Sequence, residues 1–187
     1  MKEIKKAVLL FTALTILTGV FYPAAVTVLA QIMFPKQASG SLVYMAEGKP
    51  AGSELIGQPF YGPEYFWPRP SATAEFPYNP LASGGSNMGP TNKDLVDKIS
   101  DRVKTLRASG VQGDIPADLI MASGSGLDPH ISVDAAFVQA ARIARERNMS
   151  EEKVRGLVKS CTEGRQFGFL GRPRVNVLKL NLLLDRT

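Results

Sequence analysis

Residues 7–34 read AVLLFTALTILTGVFYPAAVTVLAQIMF, an uncharged apolar run directly behind the basic segment MKEIKK. At about 1.5 Å per residue it is long enough to cross a hydrocarbon core of roughly 30 Å. This predicts a single transmembrane helix, and every functional reading of the rest depends on it. Lys2, Lys5 and Lys6 flank one end, and the positive-inside bias then places residues 1–6 in the cytoplasm and residues 35–187 outside it. The rival reading is a cleaved signal peptide, because Val28 and Ala30 before Gln31 supply the small residues that signal peptidase accepts. The length of the run, which exceeds a usual signal h-region, favours a retained anchor.

Within the run, Thr12, Thr15, Gly19 and then Tyr22 or Pro23 recur every three to four residues, placing small and hydroxyl side chains on one face where a second helix can approach. The alternative is that each threonine bonds the carbonyl four residues earlier and the helix stands alone in lipid. Pro23 predicts a bend.

The remainder is long enough for one domain with a real core. The chain's formal charge is +5, of which Lys2, Lys5 and Lys6 against Glu3 contribute +2 and leave a dispersed +3 outside the membrane. That argues against nucleic acid as a partner. Cys161 is the only cysteine, which excludes an intrachain disulfide and reads as a small buried hydrophobe.

Residues 50–90 hold eight of the thirteen prolines together with Tyr61, Tyr65, Phe66, Trp67, Phe76 and Tyr78. Proline fixes φ and removes a donor, so the stretch predicts an ordered, aromatic-packed loop region, a disordered linker being poorer in aromatics. Beyond it, Thr91 or Asn92 caps a helix with Leu95, Ile99, Val103 and Leu106 on one face, ending near Ser109-Gly110. Asp118 to Ala122 reads as a short buried strand followed by a turn at Ser123-Gly-Ser-Gly126. A second helix, capped by Ser132, buries Val133, Phe137, Ala140 and Ala144. A third begins at Ser150 and buries Val154, Leu157, Val158 and Cys161. Leu178, Leu180, Leu182 and Leu184 alternate as in a strand, although the end at Leu182–Leu184 reads equally as helix. The fold class expected is α+β: one transmembrane helix, then an extracytoplasmic domain of about three helices, a small sheet and a Pro/aromatic-rich loop region.

Motifs for self-sufficient chemistry are missing. There is no phosphate-binding G-x-x-x-x-G-K-S/T, no H-E-x-x-H, no C-x-x-C and no D-K-T-G. His130 is the only histidine, so a histidine metal cluster is excluded, and a Ser-His-Asp hydrolase would have to use Asp128-Pro-His130 with a distant serine. Helices at 132–147 and 150–161 could present Arg142, Arg145, Arg147, Lys153 and Arg155 as a helix-turn-helix, but an outer domain meets no DNA and Glu146, Glu151 and Glu152 dilute that face. Two glycine-serine loops, Ser83-Gly84-Gly85-Ser86-Asn87 and Ser123–Gly126, offer either an anion cradle or tight turns and partner contacts.

Taken in order, Gly52-Ser-x-Leu-Ile-Gly-Gln58, Tyr65-Phe66 with Arg69-Pro-Ser-Ala72, Tyr78-Asn79, Ser83 to Asn87, Pro116 to Ile131, with Ala122-Ser-Gly-Ser-Gly-Leu-Asp128 its most distinctive part, and Pro173-Arg-Val-Asn-Val-Leu178 through Leu184-Asp185 resemble the C subunits of the Kdp potassium-transporting ATPase. The resemblance covers nearly the whole chain, anchor included. It implies an accessory, non-catalytic subunit in the bacterial inner membrane, partnered by lipid, a channel-like potassium-binding subunit, a P-type ATPase subunit and a small single-helix subunit. It also implies a complex that uses ATP, Mg and potassium while this chain carries no cofactor of its own. The family is described as supporting assembly and as a catalytic chaperone that raises the ATP affinity of the ATPase subunit. Direct nucleotide binding, the alternative, maps onto Ser83, Gly84, Gly85, Ser86 and Gln139. Partner contacts are expected at Thr12, Thr15, Gly19, Tyr65, Phe66, Arg69, Ser86 and Asn87. No catalytic or metal-ligating residue is expected.

Overall fold

The computed structural model describes residues 2–45 and 48–187. Met1, the first residue of the expected cytoplasmic stretch, lies outside the described residues. Two compact units are present, Met1–Leu42 and Val43–Thr187.

The first unit is a helix from Lys2 to Met33 that is long and apolar enough to cross a membrane and buries none of its side chains within the chain. Its segments are α1 (Lys2–Ile16), a π-helical turn at Leu17–Phe21 and α2 (Tyr22–Met33). The helix begins within the basic segment rather than at Ala7. The irregularity at Pro23 takes a specific form. Pro23 has no N–H for the carbonyl of Gly19 and its ring crowds that carbonyl, and the widened turn immediately before it relieves the clash. Thr18 donates to the Leu14 carbonyl at 2.8 Å, so it is Thr18 that back-bonds along the helix. A short α3 (Pro35–Ala38) follows.

The second unit is mixed α+β. β1 (Leu42–Tyr44) and β2 (Pro50–Ser53) form a two-stranded sheet. Residues 54–92 contain only a 3₁₀ turn at Pro80–Ala82, capped by Asn79. α4 (Lys93–Ala108) starts where Asn92 Oδ1 accepts from the Asp94 N–H at 2.8 Å. It ends in a Schellman motif, with Val111 N–H on Leu106 O and Gly110, at φ +96°, on Arg107 O. Both Leu106 and Val111 are buried, which closes the motif hydrophobically.

Asp118 to Ala122 does not form the expected strand. α5 (Ala117–Ile120) is a single helical turn that sends Leu119 into the core and turns the Asp118 carboxylate onto the Ser132 N–H at 2.6 Å and its hydroxyl at 3.2 Å. An extended chain would have put these neighbours on opposite faces without that cap. β3 (His130–Ser132) leads into α6 (Val133–Phe137), capped by Ser132 on Ala135 N–H, and α7 (Ala140–Glu146) follows. The expected single helix is thus interrupted at Val138-Gln139, because the Gln139 side chain takes the Ala135 carbonyl that the Gln139 N–H would otherwise have claimed. Val133 and Phe137 are only half-buried, while Ala135, Ala136, Ala140, Ile143 and Ala144 line the core. α7 closes in a second Schellman motif around Asn148 at φ +53°. α8 (Glu151–Ser160) is capped by Ser150 and buries Val154 and Val158, with Leu157 and Cys161 half-buried against the same cluster.

β4 (Thr162–Glu163) and β3 flank β5 (Arg174–Asn176) in an antiparallel sheet, pairing Ile131 with Val175 and Thr162 with Val175. The leucine alternation beyond it belongs to a helix. Asn176 caps α9 (Val177–Leu184), and Val177, Leu180, Asn181 and Leu184 form its buried stripe at helical spacing. Short strands around a helical core explain why this unit needs polar side chains to tie its loops down.

Candidate functional site

The proline- and aromatic-rich loop is ordered because side chains of the helices occupy its backbone. Asn181 of α9 accepts from Phe66 N–H at 2.9 Å and donates to Phe66 O at 3.0 Å. Gln139 repeats this on Trp67, accepting from its N–H at 2.8 Å and donating to its carbonyl at 3.2 Å. Arg142 donates to the carbonyls of Pro63 and Tyr65 and to Gln139 Oε1, with its guanidinium 4.1 Å from the centre of the Trp67 ring. Arg147 donates to Glu64 O at 2.8 Å, pairs with Asp185 at 2.6 Å and covers the Tyr65 ring. Five consecutive carbonyls, Pro63 to Trp67, are thereby satisfied in a segment that has no strand partner. Burial pulls the Arg142 guanidinium down to about 10, still protonated at neutral pH.

The two glycine-serine loops pack on each other. Gly84 N–H and the Ser83 hydroxyl both donate to Ser125 O, at 2.9 and 3.0 Å. A side chain at Gly85 would lie 3.1 Å from Gly124 O, and one at Gly126, whose φ is +69°, would lie 2.7 Å from Gly84 O. The glycines therefore serve a close backbone approach. On one side of these loops a cavity of about 520 Å³ is lined by Gly85, Ser86, Leu95, Lys98, Arg102 and Met121 among others.

A charged chain runs across the sheet. Arg69 pairs with Asp128 at 3.1 Å, His130 Nδ1 lies 3.4 Å from Asp128 and Nε2 lies 3.7 Å from Glu163, and Glu163 also meets Arg174 at 3.1 Å. Lys179 lies 3.6 Å from Glu163 and 2.7 Å from Glu54. Burial pushes the Asp128 and Glu163 carboxyls up, but the hydrogen bonds and cations around them outweigh it and hold both below their ordinary values. Both imidazole nitrogens of His130 face carboxylates, which leaves neither aimed at a serine hydroxyl and removes the geometry of a hydrolase triad.

Comparison with known proteins decides the family. A sequence model described as KdpC, K+-transporting ATPase, c chain, matches residues 4–186. The chain belongs to the KdpC family. Among curated KdpC subunits of potassium-transporting ATPases, that of Geobacter sulfurreducens is 59% identical over 99% of this chain and 98% of its own length. Those of Geotalea uraniireducens and Methylococcus capsulatus are 58% and 61% identical, covering 100% and 97% of this chain and 98% and 96% of theirs. As a KdpC chain it is the non-catalytic C chain of the Kdp ATPase complex, anchored by its N-terminal apolar helix.

Measured against that role, the candidates from sequence fall into distinct groups in this KdpC chain. Gln139 is fully buried and Phe66 sits in the core, so neither side chain reaches the surface. Ser83 and Gly84 are engaged with Ser125, while Gly85 and Ser86 line the cavity beside Lys98 and Arg102. Tyr65 and Arg69 are half-buried and held by Arg147 and Asp128, and Asn87 is exposed at φ +51°. Thr12, Thr15 and Gly19 are exposed on the long helix. Arg142, Arg147 and Asn181 are the residues that sequence reading missed as organisers of the loop. An asparagine inside the leucine run of α9 was the available signal, since a buried amide needs a polar partner.

Proposed function

We propose that this chain is an accessory subunit that stabilises the assembled potassium transporter from outside the cytoplasm and has no nucleotide site of its own. The observation that carries this reading is the engagement of the candidate nucleotide ligands by the fold: Gln139 makes four internal hydrogen bonds, and the Gly84 N–H is bonded to the facing loop. Lys2, Lys5 and Lys6 support a cytoplasmic N-terminus, with the helix to Met33 retained as the anchor. In that orientation the Thr12, Thr15 and Gly19 face meets a helix of the channel-like subunit. Tyr65, Arg69, Ser86 and Asn87 supply docking contacts outside, while the ATPase and small single-helix subunits complete the complex with ATP, Mg and potassium. The subunit's effect on ATP affinity then passes through the assembly. Asn87→Ala and Tyr65→Ala variants, co-expressed with the other subunits, are expected to lower recovery of intact complex. Full recovery in both contradicts the docking surface.

One observation favours a second reading, direct nucleotide contact. Gly85 and Ser86 share a cavity of about 520 Å³ with Lys98 and Arg102, cations suited to a phosphate. Titration of the full chain with a fluorescent ATP analogue separates the two: binding lost in Lys98→Ala supports this second reading, and an unchanged signal at millimolar analogue supports the first.

A further inference from the structure

The segment after β4 forms a projecting turn. Gln166 and Leu170 exchange backbone hydrogen bonds at 3.0 and 2.9 Å, and Phe169 N–H and Gly168 N–H are satisfied by Gln166 O and Arg165 O. The N–H groups of Gln166, Gly168, Phe169 and Leu170 are thus paired within the turn, while its side chains face outward: Phe167 is 87% exposed, Phe169 70% and Leu170 47%. Phe167 also holds φ +52°, a left-handed conformation that a bulky residue adopts at a cost and that glycine or asparagine would adopt readily. Neither packing nor local geometry explains a phenylalanine there. Arg165 and Arg172 bracket the apolar tip, and residues 164–173 contain no acidic side chain.

We propose that this turn inserts Phe167, Phe169 and Leu170 into the interfacial zone of an anionic phospholipid bilayer, with Arg165 and Arg172 on the headgroup phosphates. Three features point to lipid as the occupant. Pairing four of the turn's N–H groups within it lowers the cost of bringing its backbone to the edge of an apolar phase, and the carbonyls of residues 167–169 remain for the hydrated headgroup layer. Aromatic side chains with flanking arginines match the interface in polarity and charge. Finally, the proposal rests on the retained membrane anchor, since the residues 34–42 that follow the helix extend at most about 30 Å and keep the folded unit at a bilayer surface.

The test uses the full chain reconstituted in phosphatidylcholine–phosphatidylglycerol vesicles with and without brominated acyl chains. Trp67 is the only tryptophan, so wild type supplies the background and Phe167→Trp the signal. The introduced indole is expected to emit at shorter wavelength than in detergent-free solvent and to lose most of its intensity to bromolipid. Both effects should weaken in pure phosphatidylcholine, in high salt, and in the Arg165→Glu, Arg172→Glu background. Flotation of the same vesicles separates the two layers of the claim. A chain that floats while its indole stays solvent-like and unquenched overturns the insertion and leaves the anchor intact. A chain that does not float overturns both. Shielding that appears only after the other transporter subunits are added, without bromolipid quenching, assigns the turn to a protein contact and also overturns the proposal.

Discussion

Replacing Gln139 by leucine removes a side chain that bridges α6, α7 and the aromatic loop. Its amide accepts from Trp67 N–H at 2.8 Å and from Arg142 at 2.8 Å, and donates to Trp67 O at 3.2 Å and Ala135 O at 3.0 Å. Leucine fills similar space and restores none of these bonds. A buried donor or acceptor left unpaired costs about 1–3 kcal/mol. Trp67 is only half-buried, so water relieves part of the loss at its two groups, while Ala135 O stays inside. The expected destabilisation is about 2–5 kcal/mol, a large share of the roughly 5–15 kcal/mol that holds a domain together. Urea unfolding of the full chain in detergent, followed by Trp67 fluorescence, reads it directly, since the indole lies against Arg142 and the loop it clamps. The same variant tests function. If Gln139 acts through the fold, any change in the ATP affinity of the assembled transporter tracks the fraction of folded subunit. Wild-type stability combined with a lost ATP effect would refute the structural role given to Gln139.

The loop pairing predicts that Gly126→Ala is severe: a Cβ would lie 2.5 Å from Thr73 Cγ2 and 2.7 Å from Gly84 O at φ +69°. Left-handed strain of roughly 1–2 kcal/mol and overpacking of typically 1–3 kcal/mol together give a destabilisation of about 2–5 kcal/mol, measurable as a lowered urea midpoint. Gly124→Ala, whose Cβ meets nothing within 4 Å, should be nearly silent by the same measurement. The charged chain across the sheet sets a pH dependence. Asp128 and Glu163 are held below their ordinary 3.8 and 4.5, so their contribution is complete above those values and is lost as pH falls through the depressed folded ones. Asp128→Asn should therefore flatten the fall in stability that sets in as pH drops below its ordinary value of 3.8, and leave stability near neutral pH without a pH slope from this site. His130→Gln should leave potassium uptake intact in cells, because the imidazole bridges carboxylates and is not placed to act on a hydroxyl.

The parts of the fold set by local rules were legible in advance. Asn92, Ser132 and Ser150 cap the helices they were expected to cap, because a side-chain oxygen before an apolar periodic segment satisfies donors the helix itself leaves free. The errors lay where a distant partner decides. Asp118 is helical because Ser132, fourteen residues on, needs its carboxylate. Leu178, Leu180, Leu182 and Leu184 alternate as in a strand, with only the end at Leu182–Leu184 reading equally as helix, yet the burial of Asn181 against Phe66, far away in sequence, makes the whole of α9 helical. The candidate site left alternatives open for the same reason. Serine, glycine and glutamine suited to phosphate are equally suited to bonding a facing loop, and sequence does not say which backbone lies opposite. Phe66, an expected partner contact, is buried in the core, and an aromatic loop residue looks alike in sequence whether its ring points in or out.

In the proposed orientation the folded unit lies across the membrane from the site of ATP hydrolysis and acts through assembly. A single exposed cysteine, Gln112→Cys in a Cys161→Ala background, tests it with a membrane-impermeant maleimide applied to intact cells. Labelling is expected without permeabilisation of the inner membrane. Labelling only after that membrane is opened would place the unit beside the nucleotide and contradict the claim.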